Sequence, residues 1–198
     1  MTWLTDLGAT SPVVAAPMAG GPTTSALVLA AAAAGSLGFL AGGYLSPDAL
    51  GEQLVAVRSH TRLYGVNMFA PNPVPVDSEE YAAYRYRIWP EATRYGVDLP
   101  AEPIEDDDAW RAKIGLLVRQ QVPIVSFTFG IPDPDSLAAL RAAGSRVVQT
   151  VTSVDEARRA GEAGVDGALV GTLLLLADEA GRSDAHGRGS STTPARRP

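Results

Sequence analysis

A chain of 198 residues can build one globular domain with a real core, and its lack of cysteine excludes disulfides and thiolate metal sites. The net charge of -6 argues against a nucleic-acid or anionic-membrane partner, and 46% hydrophobic with 19% charged residues is not a disordered composition. The start, Met-Thr-Trp-Leu-Thr-Asp-Leu, lacks the basic opening and long apolar core of a signal peptide, and the apolar run Ala26 to Ala34 is too short to span a bilayer, so a soluble cytoplasmic protein is expected.

In chain order, Val13 to Ala16 reads as a buried strand and Ser25 to Ala34 as a helix ended by Gly35. Leu37 to Ala41 is a second strand, closed by Gly42-Gly43. Ser46-Pro47-Asp48 opens a helix, because serine caps the free N–H groups and proline suits the first helical position. Leu63 to Phe69 is a third strand. Residues 71–108 break the rhythm with six prolines, many acids and a tyrosine–tryptophan cluster; this is an inserted excursion, helical between Ser78 and Trp89.

The alternation then resumes. Trp110 to Gln121 is a helix and Pro123 to Phe127 a strand. Asp133-Pro134-Asp135 repeats the cap-plus-proline device and opens a helix through Ala143. Arg146 to Val151 is a strand, Ser153 with Glu156 fits a capping box for a helix to Ala163, and Gly167 to Val170 is a sixth apolar run. From Arg182 to Pro198 no hydrophobic period survives, which reads as a disordered tail. Short apolar strands, each followed by a helix, mean buried parallel strands and an α/β fold. Periodicity does not choose between a doubly wound sheet and a barrel. An eight-unit barrel takes about 250 residues. Without the excursion and the tail, this chain has room for between about four and five such units.

Four motifs carry a resemblance. Ala16-Pro17-Met18-Ala19-Gly20-Gly21 follows the first strand, and Gly35-Ser36-Leu37-Gly38-Phe39-Leu40 follows the first helix. Tyr64-Gly65-Val66-Asn67-Met68-Phe69 forms the third strand, and Pro123-Ile124-Val125-Ser126-Phe127-Thr128-Phe129-Gly130 the fourth. In this order and spacing they resemble the nitronate monooxygenases, formerly called 2-nitropropane dioxygenases. The resemblance implies an FMN-dependent (β/α)8 TIM barrel that oxidises alkyl nitronates with O2 to carbonyl compounds and nitrite. The expected fold is a partial barrel: about five βα units over residues 1–181, followed by the tail at 182–198.

By the same resemblance, Pro17, Met18 and Ala19 match the segment under the flavin ring. Asn67 matches the asparagine that bonds the flavin, and Phe127 to Gly130 line the same mouth. Gln149, with Thr150, ends the fifth strand where a further flavin neighbour stands. Residues 168–181 resemble the eighth strand and its following segment, so Gly171 and Thr172 are expected at the FMN phosphate. Gly164-Val165-Asp166 runs straight into that strand. The family's Gly-Gly-His segment, which carries the catalytic base, and its glycine-rich phosphate loop have no counterpart here. The two histidines, His60 and His186, match neither motif.

Each feature has a plainer reading. The Ala-Pro-Met-Ala-Gly-Gly run is also an ordinary strand-to-helix turn, Met18 an ordinary core residue, and Asn67 an amide satisfied by a neighbouring loop. The acidic run Glu105 to Asp108 reads as a solvated face at a helix start rather than a metal site. His60 reads as a surface residue near a helix end. Three functional readings are carried forward: an FMN oxidoreductase acting on a nitronate, a non-catalytic remnant of that family, and a flavin-dependent enoyl-acyl-carrier-protein reductase-like enzyme. An open parallel sheet exposes edges, and self-association to complete the barrel is one way to cover them.

Overall fold

The structure, a computed structural model, describes residues 3–72 and 74–171. The disordered-tail expectation, His186 and Thr172 lie outside the described residues. Six parallel strands alternate with helices: β1 (Val14–Ala15), β2 (Leu37–Ala41), β3 (Tyr64–Phe69), β4 (Ile124–Thr128), β5 (Arg146–Val151) and β6 (Gly167–Val170). The helices are α1 (Trp3–Asp6), α2 (Ser25–Ala33), α3 (Pro47–Arg58), α4 (Ser78–Tyr95), α5 (Trp110–Gln120), α6 (Pro134–Ala142) and α7 (Val154–Glu162).

The strand order is β1-β2-β3-β4-β5-β6, every pair parallel. A doubly wound sheet reverses its order at a switch point, and this one never does. Unbroken sequential order with a helix after each strand is the winding of a barrel, and the six strands form a curled partial barrel. β6 takes the place beside β5, with Thr150 opposite Leu169.

Strand residues alternate between two cores, as pleated geometry requires. Leu40, Tyr64, Val66, Met68, Val125, Phe127 and Val147 face the helices and pack with Val28, Leu50, Leu54, Leu117, Leu137 and Leu140. Leu37, Phe39, Leu63, Ile124 and Val148 face inward, joined by Ala9 and, from the N-terminal segment, Leu4 and Leu7. That segment, including α1, was not legible as an element beforehand: four helical residues give no period to read.

Three caps follow the sequence closely. Ser46 Oγ accepts the Ala49 N–H at 3.2 Å, Asp133 Oδ1 the Ser136 N–H at 2.9 Å, and Ser153 Oγ the Glu156 N–H at 3.2 Å. The capping box is shifted by one residue: the Glu156 carboxylate takes the N–H of Thr152 at 2.7 Å and its hydroxyl at 2.9 Å. These bonds have a titration consequence. Hydrogen bonding to the Ser136 side chain holds Asp133 below its ordinary 3.8, and the Thr152 N–H holds Glu156 below its ordinary 4.5. Both groups bind protons less readily folded than unfolded. Their contribution is complete above those ordinary values and is lost as pH falls through the lowered folded ones. Thermal melts should therefore show Tm dropping below about pH 4.5, with a smaller drop in the Asp133→Asn, Glu156→Gln variant.

The excursion contains the expected helix, extended past Trp89 to Tyr95 with Pro90 inside it. A proline there removes one ladder bond. Asp77 caps its start, accepting from Glu79 and Glu80 at 2.9 Å each. No helix among the described residues is long and apolar enough to cross a membrane.

Candidate functional site

In a parallel sheet all strand C-termini lie along one edge, and that edge collects the residues singled out above. The loop holding Pro17, Met18 and Ala19 follows β1. It is closed by Thr23, whose Oγ1 accepts the Met18 N–H at 2.8 Å and whose own N–H returns to the Met18 carbonyl at 3.3 Å. Gly20 and Gly21 carry φ of 82° and 115°, angles that glycine tolerates and larger residues resist. Met18 is 46% exposed, so it is not a core residue. Pro17 and Ala19 are half-buried.

Asn67 stands on the inward face of β3, level with Ala41 on β2, Ser126 on β4 and, through it, Val148 on β5. It is 4% exposed. Its Nδ2 donates to Ser126 Oγ at 2.9 Å and to Thr128 Oγ1 at 3.0 Å, with a longer contact of 3.4 Å to the Ser126 carbonyl. Its carbonyl is served less well: Thr128 Oγ1 reaches Oδ1 at 3.5 Å, and the same hydroxyl lies 3.5 Å from Thr150 Oγ1. The amide nitrogen is thus satisfied within the sheet, while the oxygen keeps acceptor capacity for another donor. Ser126 was not singled out as a site residue from the sequence, and Thr128 only as part of the Phe127 to Gly130 segment. The signal was present, since two hydroxyl residues two apart in an apolar strand share a face.

Gln149 and Thr150 diverge. Thr150 shares the face of Thr128 and Asn67. Gln149 pairs in register with Phe127, which packs on the helix side against Trp110 at a ring distance of 5.6 Å. The Gln149 Nε2 donates to the Thr150 carbonyl at 3.0 Å and the Phe127 carbonyl at 3.3 Å. Its Oε1 is buried with no partner among the described residues. Both residues open on a cleft of about 530 Å³ that runs from Thr128 and Phe129 to Thr152 and Arg159. Gly171 follows β6 directly and is exposed, with open space where a Cβ would stand.

Two charged groups behave differently from their sequence reading. Asp108 is not on a solvated face: its Oδ1 lies 2.7 Å from Nζ of Lys113, whose side chain is 0% exposed. That ammonium also donates to the Gly42 carbonyl at 2.9 Å, and Asp108 Oδ1 accepts the Tyr44 N–H at 3.1 Å. The excursion's end is therefore pinned to the loop after β2, a long-range contact that no local pattern encodes. His60 is exposed beyond the end of α3, with Nδ1 at 2.9 Å from Ser59 Oγ and 3.0 Å from the Ala56 carbonyl. It lies at the opposite end of the strands from Asn67, so the described residues bring no histidine to the site.

Comparison with known proteins agrees with this geometry. A sequence model of the family described as nitronate monooxygenase matches residues 1–172. A probable nitronate monooxygenase of Staphylococcus aureus (strain Newman) is 32% identical over 156 residues, covering 78% of this chain and 44% of the relative. The crystal structure of nitroalkane oxidase from Streptomyces ansochromogenes superposes with a TM-score of 0.72 at 38% identity, covering 84% of this chain and 47% of that one. FabK from Thermotoga maritima superposes with a TM-score of 0.61 at 23% identity, a likeness of fold alone. The chain spans about half the length of the relatives it matches.

Proposed function

Because the chain belongs to the nitronate monooxygenase family, we propose that it forms the ring-binding part of an FMN site in a cytoplasmic oxidoreductase that converts alkyl nitronates and O2 to carbonyl compounds and nitrite. The observation that carries this reading is an under-served buried oxygen on the inward face at the C-terminal edge. Among the described residues Asn67 Oδ1 has only the 3.5 Å contact with Thr128. A buried polar atom left unpaired costs about 1–3 kcal/mol, so a ligand edge that offers N–H groups as well as acceptors would be complementary here. A flavin ring edge has that chemistry, and the residues present fit it.

In this reading Asn67 orients the ring, with Ser126 and Thr128 fixing the amide. Pro17, Met18 and Ala19 support the ring from the loop after β1. Gly171 and Thr172 contribute to the phosphate end. Bound FMN would supply the redox chemistry, accepting electrons from the nitronate and passing them to oxygen. A nitronate is already deprotonated, so this substrate class does not require a protein base to start the reaction. The described residues at this edge offer hydroxyls and amides.

The test is the absorbance spectrum of the purified chain. Bound flavin bands that unfolding releases as free FMN, followed by nitrite release from propionate 3-nitronate, would support the proposal. A colourless protein that stays so after FMN is added would sink it. Asn67→Ala should weaken FMN binding about tenfold, the worth of one well-placed hydrogen bond to a buried group. Flavin bleaching by NADPH without nitronate would instead favour a reductase.

A further inference from the structure

The excursion between β3 and α5 carries a helix with an uncovered face, and we propose that this face pairs with the same face of a second copy of the chain, the two helices antiparallel about a two-fold axis. α4 is 18 residues long, yet of its described residues only Ala92 is buried. An isolated helix of this length is marginal in water, and Pro90 inside it removes a ladder bond. Such helices are held by packing one face against a neighbour. Within its own excursion the segment is tied by the Tyr81 hydroxyl, which donates to the Pro100 carbonyl at 3.0 Å, and by Glu105 Oε1, which accepts the Val76 N–H at 3.0 Å.

The open face is a groove of about 880 Å³ whose lining includes Val76, Glu80, Ala83, Tyr84, Tyr86 and Arg87. Tyr84 is 51% exposed and Tyr86 82%. Rings of that size bury large areas when they find a partner, and they are enriched at protein interfaces.

The order of charges selects a second copy as that partner. Glu80 and Arg87 stand seven residues apart on this face, which is two turns and about 10 Å along the axis. They are too far apart to join each other, and neither forms an ion pair among the described residues. Turned end for end, the same face sets Arg87 opposite Glu80 and Glu80 opposite Arg87. The two-fold axis then passes between Ala83 and Tyr84. The two Tyr84 rings meet there, and the small Ala83 beside them leaves room for close approach. Such an interface is isologous: one patch complements itself, and the contact closes at two copies. A parallel pairing would set Glu80 against Glu80 and Arg87 against Arg87, like against like. The pairing uses no strand edge and does not depend on flavin.

Sedimentation velocity of the full chain over a concentration series is the test, with circular dichroism to show that each variant keeps its helix. The chain should run as a monomer–dimer equilibrium. Glu80→Arg and Arg87→Glu each set like charges together at two symmetric places and should weaken the dimer about tenfold or more. An equimolar mixture of those two variants should recover the dimer, because each then meets its opposite charge at both places. The double variant Glu80→Arg, Arg87→Glu should recover it as well. A chain that stays monomeric at its highest soluble concentration overturns the proposal and leaves the face to a different protein. Dimers indifferent to either single reversal overturn it in favour of pairing through strand edges, and a mixture that stays monomeric overturns the two-fold pairing.

Discussion

Lys113→Met is expected to lower the unfolding free energy by about 3 kcal/mol, read from urea denaturation followed by tryptophan fluorescence. The ammonium is wholly enclosed and serves two acceptors, Asp108 Oδ1 at 2.7 Å and the Gly42 carbonyl at 2.9 Å. Methionine fills similar space but leaves a carboxylate only 18% exposed without its counter-charge, and a carbonyl without its donor. Breaking a buried pair from one side costs far more than the pair contributes, because desolvation of the survivor is no longer offset. The low end of the usual 3–5 kcal/mol range applies, since Asp108 keeps some contact with water. Adding Asp108→Asn should recover part of the loss, a coupling that a double-mutant cycle measures. A single-variant cost under about 1 kcal/mol would mean that water already serves the ammonium.

Gly65→Val is the second large effect, with an expected loss of about 3 kcal/mol and a Tm lowered by about 6–12 °C. Gly65 pairs in register with Phe39 on β2, and the phenyl ring lies across it: a Cβ at position 65 would stand 2.4 Å from Phe39 Cε1 and 2.6 Å from Cδ1. Phe39 is 2% exposed and cannot swing into solvent. Leu63, Ile124 and Val148 close the rest of that inward layer. Pairing Gly65→Ala with Phe39→Leu should cost less than the sum of the two single changes, because the shorter side chain vacates the space the methyl needs. Strict additivity would show that the ring moves freely and that the inward core is loosely packed.

Much of the candidate site was legible because it is written in local patterns. Pro17 to Ala19 and Asn67 stand at strand ends by their place in the βα rhythm, and the structure puts both at the C-terminal edge. Gln149 shows the limit. Reading it beside Thr150 gave the right strand end, but alternation sends the two side chains to opposite faces, and only register with Phe127 says which is which. Asn67's partners required knowing that β4 lies next to β3 across the whole excursion, which no sequence spacing reveals.

The sequence by itself determined the parallel α/β class, all six strands to within one residue at each end, and the caps at Ser46, Asp133 and Ser153. These follow from side-chain period and from hydrogen bonds between residues two to four apart, which act on any chain with that local order. Tertiary structure decided the rest: sequential winding instead of a doubly wound sheet, the place of β6 beside β5, and the burial of Asp108 against Lys113. Each of those joins residues far apart in the chain or sets one strand's neighbour. Such choices are made by the collective packing of two opposed cores, where every inward or outward side chain must fit all the others at once.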